Sequence, residues 1–199
     1  MEIFLVAPLS QAGKVYQKFS PVAPDWPPLG LGYLASYLRK TGYPCRIVDE
    51  TVESLSHQDL INQYLKPLKG AKTRVVVGIY SIVTNSAEAI TLSRDIKEFD
   101  SRITVVMGGP LIDKDIIEHL HLANCVDYFI VGEGEIAFQK LISALDGSGS
   151  VENIPGVIYC SGDTRVSNAP GEFVWDLDSL PKPARDLMAP LHLYRPYVH

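Results

Sequence analysis

Residues 74–99 read RVVVGIYSIVTNSAEAITLSRDIKEF. The first six, residues 74–79, form a nearly unbroken run of branched apolar side chains, the pattern of a strand covered on both faces. From Ser86 the apolar positions shift to a helical period and hold it to Phe99. Between the two lies a short loop of hydroxyls and one amide. A strand, a polar loop and a helix make the unit from which parallel sheets are assembled.

The same unit recurs on either side. Apolar runs stand at residues 3–7, 46–48, 103–107 and 128–131. Leu31, Leu34, Ala35 and Leu38 form a helical stripe with Arg39 and Lys40 in its last turn and Gly42 as its stop. Ser56 with Asp59 opens a second helix carrying Leu60, Ile61, Tyr64 and Leu65 before Pro67. Two more helices are expected at 113–121 and 133–145. Five alternations predict an α/β fold: a flavodoxin-like, Rossmann-like doubly wound sheet of five parallel strands in the order 2-1-3-4-5. Gly147-Ser148-Gly149-Ser150 reads as a joint, so residues 1–147 are expected to form one domain. In residues 148–199, runs at 156–160 and 164–167 flank Ser161-Gly162-Asp163 as a β-hairpin. The proline-rich stretch 169–199 reads as an extended linker.

Composition narrows the function classes. The 199 residues are 46% hydrophobic and 21% charged, with mean hydropathy +0.07, values of an ordinary globular protein. A net charge of −5 argues against nucleic acid as a partner. No apolar run approaches the roughly 18 residues of a membrane span, and residues 1–7 run into a strand without a cleavable signal. Cys45, Cys125 and Cys160 are odd in number and far apart, which fits the cytoplasm and excludes a disulfide framework or a four-cysteine zinc site.

In this architecture ligands bind where strands end, so the loops decide function. The loop after the first strand is long, without helical or strand pattern at 9–26, and stiffened by Pro21, Pro24, Pro27 and Pro28. Gly30-Leu31-Gly32-Tyr33-Leu34-Ala35 matches a dinucleotide fingerprint, with Asp49 and Glu50 near the place of a ribose-binding acid. Some twenty residues separate it from the strand, however, and close packing of helix against sheet is the preferred reading of both glycines. Ser81, Thr84 and Asn85 follow the third strand, where Thr84 or Asn85 alone reads as a helix cap. Gly108-Gly109-Pro110 follows the fourth and Gly132-Glu133-Gly134-Glu135 the fifth. Freed backbone and helix-start amides at one edge suit an anionic or amide-bearing ligand.

Other chemistries fail on their residues. A phosphoacceptor domain needs acids and a lysine where Val6-Ala7-Pro8, Ser81 and Gly132 stand. Leu9-Ser10-Gln11-Ala12-Gly13 is a poor flavin phosphate loop, and neither a nucleophile elbow nor a P-loop is present. His57, His119, His121, His192 and His199 are expected at the surface, with no metal site.

The set of loops resembles the cobalamin-binding domain family, whose members carry Asp-x-His-x-x-Gly, Ser-x-Leu and Gly-Gly at these positions. Asp25-Trp26-Pro27-Pro28-Leu29-Gly30 has Pro27 in the histidine's place, Ser81-Ile82-Val83 matches the second motif, and Gly108-Gly109 the third. The run Trp26–Ala35, Gly108-Gly109-Pro110 and Val131-Gly132-Glu133-Gly134-Glu135 resembles the amino-terminal domain of B12-dependent radical S-adenosylmethionine (SAM) enzymes. That family includes the anaerobic magnesium-protoporphyrin IX monomethyl ester cyclases and many methyltransferases. Asp176-Leu177-Asp178-Ser179-Leu180-Pro181 and Pro183-Ala184-Arg185 resemble the connector to its barrel.

The resemblance implies cobalamin lying across the strand ends, near the 9–28 loop. Its dimethylbenzimidazole tail would enter a slot beside the sheet. The implied contacts are Asp25, Pro27, Gly30, Ser81, Val83, Thr84, Gly108, Gly109, Gly132, Glu133 and Gly134. With Pro27 replacing histidine, it implies a base-off cofactor without a histidine lower ligand, easily reduced for methyl transfer. The Cys-x-x-x-Cys-x-x-Cys motif is absent, so the [4Fe-4S] cluster, SAM and catalytic residues are expected only in a following radical SAM barrel. Two alternatives stand beside this: a self-contained nucleotide-binding enzyme using residues 30–35 and Asp49, or a degenerate interaction domain without ligand.

Overall fold

Alternate side chains of a strand leave opposite faces, so a run that is apolar at every position folds only where both faces are covered. The computed structural model, which describes residues 1–10, 26–113, 117, 125–161 and 164–194, shows this arrangement. Strands β1 (Glu2–Ala7), β2 (Arg46–Asp49), β3 (Val75–Tyr80), β4 (Thr104–Gly108) and β5 (Tyr128–Ile130) are parallel in the order β2-β1-β3-β4-β5. Val6 lies opposite Val48 and Ile79, and Met107 opposite Ile79 and Phe129. The doubly wound topology is the one expected. A hairpin, β6 (Val157–Ser161) and β7 (Thr164–Ser167), adds antiparallel to β5 and extends the sheet to seven strands.

Period two sorts the core into two layers. Phe4, Val6, Val48, Val77, Ile79, Val105, Met107 and Phe129 face the helices α2 (His57–Leu60) and α3 (Ser86–Phe99). Ile3, Leu5, Ile47, Val76, Val106 and Ile130 face α1 (Leu29–Lys40) and α4 (Gly134–Leu145). Burying each such side chain contributes about 1.5–3 kcal/mol, which is what fixes the register. The α2 start is set by a capping box between Ser56 and Asp59. Its continuation loosens into a π turn (Ile61–Leu65) and tightens into a 3-10 turn (Lys66–Leu68) at Pro67, which cannot donate a backbone N–H. The helix expected at 113–121 and the hairpin tip 162–163 fall largely or wholly outside the described residues. No helix among those described is long and apolar enough to cross a membrane.

The carboxyl-terminal stretch has little periodicity, yet Ala184, Met188 and Tyr194 are buried. After the hairpin the chain returns along α1 as a strap. Lys40 Nζ donates to the Ser179 carbonyl at 3.5 Å, and Ser36 Oγ donates to that of Pro181 at 3.4 Å. The Ala184 N–H donates to the Gly32 carbonyl at 2.9 Å, while Arg39 pairs with Asp186 at 3.0 Å. Gly32 therefore packs against the strap, where helix-to-sheet packing was expected. A Cβ on it would collide with Met188 Cε and sit 3.1 Å from Pro183 Cβ.

Gly32→Val is expected to destabilise the fold by about 1–3 kcal/mol through overpacking. Hydrogen exchange should show protection lost at the Ala184 amide while β1 and β3 stay protected.

Candidate functional site

The five parallel strands end on one edge, where two neighbouring spaces lie. The first is a slot of about 600 Å³, mouth included, between the sheet and helices α1 and α4. Its walls include Leu5, Leu31, Leu34, Val106, Ile130 and Phe138, with Glu135 as the one charged residue among those described, together with six glycines: Gly30, Gly78, Gly108, Gly109, Gly132 and Gly134. The second is a wider cleft of about 1140 Å³ over the ends of β1, β2 and β3. Pro8, Ser10, residues 26–30, Asp49, Thr51, Ile82 and Thr84 are among the residues lining it. Gly30 and Tyr80 border both spaces.

The glycines create the slot in two ways. A Cβ at Gly78 would press 3.1 Å from Leu5 Cδ2 and 3.2 Å from Phe138 Cζ, so its absence lets α4 approach the sheet. Gly109 has φ +121, and a Cβ there would collide with the Ser81 carbonyl oxygen. At Gly132 a Cβ would meet no protein atom, so a side chain would extend into open space beside the slot. Thus the slot is mostly apolar, with bare backbone at its glycines.

Helices α1, α3 and α4 all begin at this edge, and none has a side-chain hydrogen bond capping its first turn. The dipoles of these starts favour negative or carbonyl oxygen nearby. Asn85, expected as a cap, instead turns back. Its Oδ1 accepts from the Ile82 N–H at 2.8 Å and its Nδ2 donates to the Tyr80 carbonyl at 3.1 Å, fixing the loop after β3.

The residues singled out in the sequence separate into groups. Gly30, Gly108, Gly109, Gly132 and Gly134 meet at the slot, and Pro27, Gly30 and Thr84 meet at the cleft. Ser81 is buried against Gly109, with its N–H donating to the Gly108 carbonyl at 2.8 Å. Val83 is 79% exposed beside the cleft. Glu133 turns away, its carboxylate accepting the Val174 N–H at 2.5 Å and so holding the start of the tail. Asp25 lies outside the described residues. Gly78, Tyr80 and Phe138 went unnoticed in the sequence, although a lone glycine inside a strand is a legible sign of close approach.

Two acids at the end of β2 are committed to the fold. Asp49 is buried and accepts the Val52 N–H at 3.3 Å; burial, with Glu53 nearby, pushes its carboxyl up to about 6. Glu50 is fully buried and bound to His57 at 3.0 Å. His57 is therefore internal, where a surface position was expected: its partners at positions 50 and 88 are brought by other elements. With Gly32 under the strap, the nucleotide fingerprint loses its second glycine as well as its acids. No group of three His, Cys, Asp or Glu among the described residues could hold a metal ion.

Comparison with known proteins gives the same direction. The family model described as the B12 binding domain matches residues 19–142. An uncharacterized methyltransferase of Pyrococcus horikoshii is 29% identical over 98% of this chain and 40% of its own length. The hopanoid C-3 methylase of Methylococcus capsulatus is 32% identical over 81% of this chain and 29% of its own. The anaerobic magnesium-protoporphyrin IX monomethyl ester cyclase of Rubrivivax gelatinosus is 29% identical over 80% of this chain and 29% of its own. The chain thus spans 29–40% of the length of these relatives. Among solved structures, the cobalamin-dependent SAM radical enzyme OxsB with aqua-cobalamin bound superposes with TM-score 0.68. It is 19% identical and covers 94% of this chain and 24% of its own.

Two outcomes follow from the geometry. Gly109→Ala is expected to cost about 1–3 kcal/mol in thermal unfolding, because both φ and the Ser81 backbone oppose a Cβ. For Asp49, the folded-state pKa lies above the unfolded value, so its protonated form stabilises the fold. That stability is present at acid pH and is lost as pH rises from about 4 through about 6. Asp49→Asn should flatten this segment of the stability profile by an amount on the order of 1–3 kcal/mol, read by denaturant titration.

Proposed function

The chain belongs to the B12-binding domain family, and from that premise we propose that it seats cobalamin base-off, without a histidine lower ligand, for a radical SAM methyltransferase or cyclase. The supporting observation is the glycine-lined, mostly apolar slot beside the wider cleft at the strand ends. The slot fits the dimethylbenzimidazole tail, and the cleft fits the corrin. Gly30, Gly78, Gly108, Gly109 and Gly132 would make room for the tail. The uncapped starts of α3 and α4 would meet phosphate or amide oxygens. Pro27 and Thr84 would lie along the cleft wall. Bound there, cobalamin would supply a reducible cobalt centre able to accept and pass on a methyl group.

The chain's own part is to bind and orient. Pro27 offers neither an imidazole nor a backbone N–H, so it leaves the lower face without a protein donor at that point. Among the described residues, His57 is tied to Glu50 and Glu88 and does not line the cleft. The relatives' names support a methyltransferase or cyclase as the larger enzyme, with cluster, SAM and substrate handled by a barrel following residues 148–199. Residues 1–147 would then be the cofactor domain proper.

Reconstitution with hydroxocobalamin followed by desalting tests the reading. Retained colour with a base-off absorbance spectrum is expected, together with a reduced-state electron-spin spectrum lacking nitrogen hyperfine coupling. Nitrogen coupling from a protein histidine would overturn the lower-face assignment, and loss of colour on desalting would overturn cofactor binding. Gly132→Leu should weaken binding about tenfold or more by placing a side chain in the open space beside the slot, with a stability cost of about 1–3 kcal/mol because φ at this position is +89, so binding is to be read at a temperature where the variant is folded.

A further inference from the structure

The cofactor reading accounts for the slot and the cleft but not for the buried charged cluster at the cleft's edge. Glu50 follows β2 directly and has no exposed surface. Its Oε2 accepts the Leu9 N–H at 3.0 Å, and both carboxylate oxygens lie 3.0 Å from His57 Nδ1. His57 Nε2 lies 3.3 Å from Glu88 Oε2 on α3. A carboxylate cut off from water is strongly disfavoured unless hydrogen bonds and opposite charge compensate it. Here the compensation comes from one imidazole and from the backbone where the chain leaves β1.

That backbone is part of the cleft. The Ser10 N–H donates to Thr51 Oγ1 at 2.8 Å, one residue beyond Glu50. Pro8, Ser10 and Thr51 all line the cleft. Glu50 thus ties the wall at Leu9 and Ser10 to the first residue of α2 and, through His57, to α3. We propose that Glu50 and His57 are a positioning pair that holds this wall in the geometry that receives the cofactor. This rests on the cleft being the seat of cobalamin.

The surroundings favour a charged imidazole. Glu50 faces it from the end of β2, Glu88 and Asp95 from α3, and the wall contributes the Leu9 N–H. On its own helix Asp59 is engaged with Ser56. Burial works against the imidazolium, but the hydrogen bond and charge of Glu50, with Asp95 and Glu88, outweigh it and hold His57 above its ordinary range. The pair is therefore complete below about pH 6.5 and is lost as pH rises through the raised value. A neutral His57 no longer offers Glu50 a positive charge, and the wall loosens.

Two measurements on the full chain test this: cobalamin affinity from absorbance titrations between about pH 6 and the alkaline range, and hydrogen exchange at Leu9 and Ser10 without cofactor. In the wild type, Kd should rise about tenfold across the alkaline limb, with Leu9 and Ser10 protection falling in parallel. Glu50→Gln keeps an acceptor for the Leu9 N–H and removes the charge, so affinity should stay within about threefold at neutral pH and lose its pH dependence. Glu50→Ala should raise Kd about tenfold at every pH and abolish Leu9 protection. An alkaline fall unchanged in Glu50→Gln, or Leu9 protection unchanged in Glu50→Ala, would overturn the proposal. Absence of cobalamin binding by the wild type at any pH would instead overturn the cofactor reading, and exchange at Leu9 would still decide whether the pair holds the wall.

Discussion

Protein interiors fill to the density of organic crystals, so an apolar space beside a sheet persists only where side chains are withheld. In this chain they are withheld at six glycines along the slot. The same deletions bring the walls together: Phe138 reaches the sheet over Gly78, and Leu34 meets the start of α4 at Gly134. The slot is thus a consequence of packing rather than a gap in it. Parallel topology does the rest, because every β–α loop of the unit falls on the same edge, with a helix start beside it.

The second constraint is the route of the chain after that edge is built. β7 and β2 occupy opposite ends of the seven-stranded sheet. The strap crosses from one end towards the other on the α1 side, held by the Gly32 carbonyl, Ser36, Arg39 and Lys40. It brings Tyr194, whose hydroxyl is buried, to the neighbourhood of Asp49 at the rim of the cleft. Proline-rich backbone suits this course because each proline fixes φ and loses little entropy in lying flat, while short 3-10 turns at Leu177–Ser179, Arg185–Leu187 and Leu191–Leu193 satisfy the backbone between them.

How much of this was legible follows from the range of each interaction. The strands and most helices are written in local apolar period, and their ends fall within one residue of the expected strand positions. The convergence of Gly30, Gly108, Gly109, Gly132 and Gly134 was legible because parallel topology dictates where loops meet. The strap was not, since it is anchored by isolated residues such as Ala184 and Met188 that form no stripe. Nor was the burial of His57, whose partners come from the end of β2 and from α3, or the diversion of Glu133 to Val174. A sequence window sees none of these pairings.

Asp49 and Glu50 show why two adjacent acids cannot be read as interchangeable. Side chains alternate along β2, so Ile47 packs on the α1 side and Val48 on the α2–α3 side. Carried one step further, the alternation sends Asp49 towards the strap and Glu50 towards His57 and Glu88. Burial, with Glu53 nearby, outweighs the hydrogen bonds Asp49 accepts and pushes its carboxyl up to about 6. Glu50 lies beside the His57 imidazole and accepts the Leu9 N–H. A single residue of register therefore separates a carboxyl that borders the cleft from a carboxylate that fastens the cleft's wall, and a ribose-binding role would have required one of them to be free.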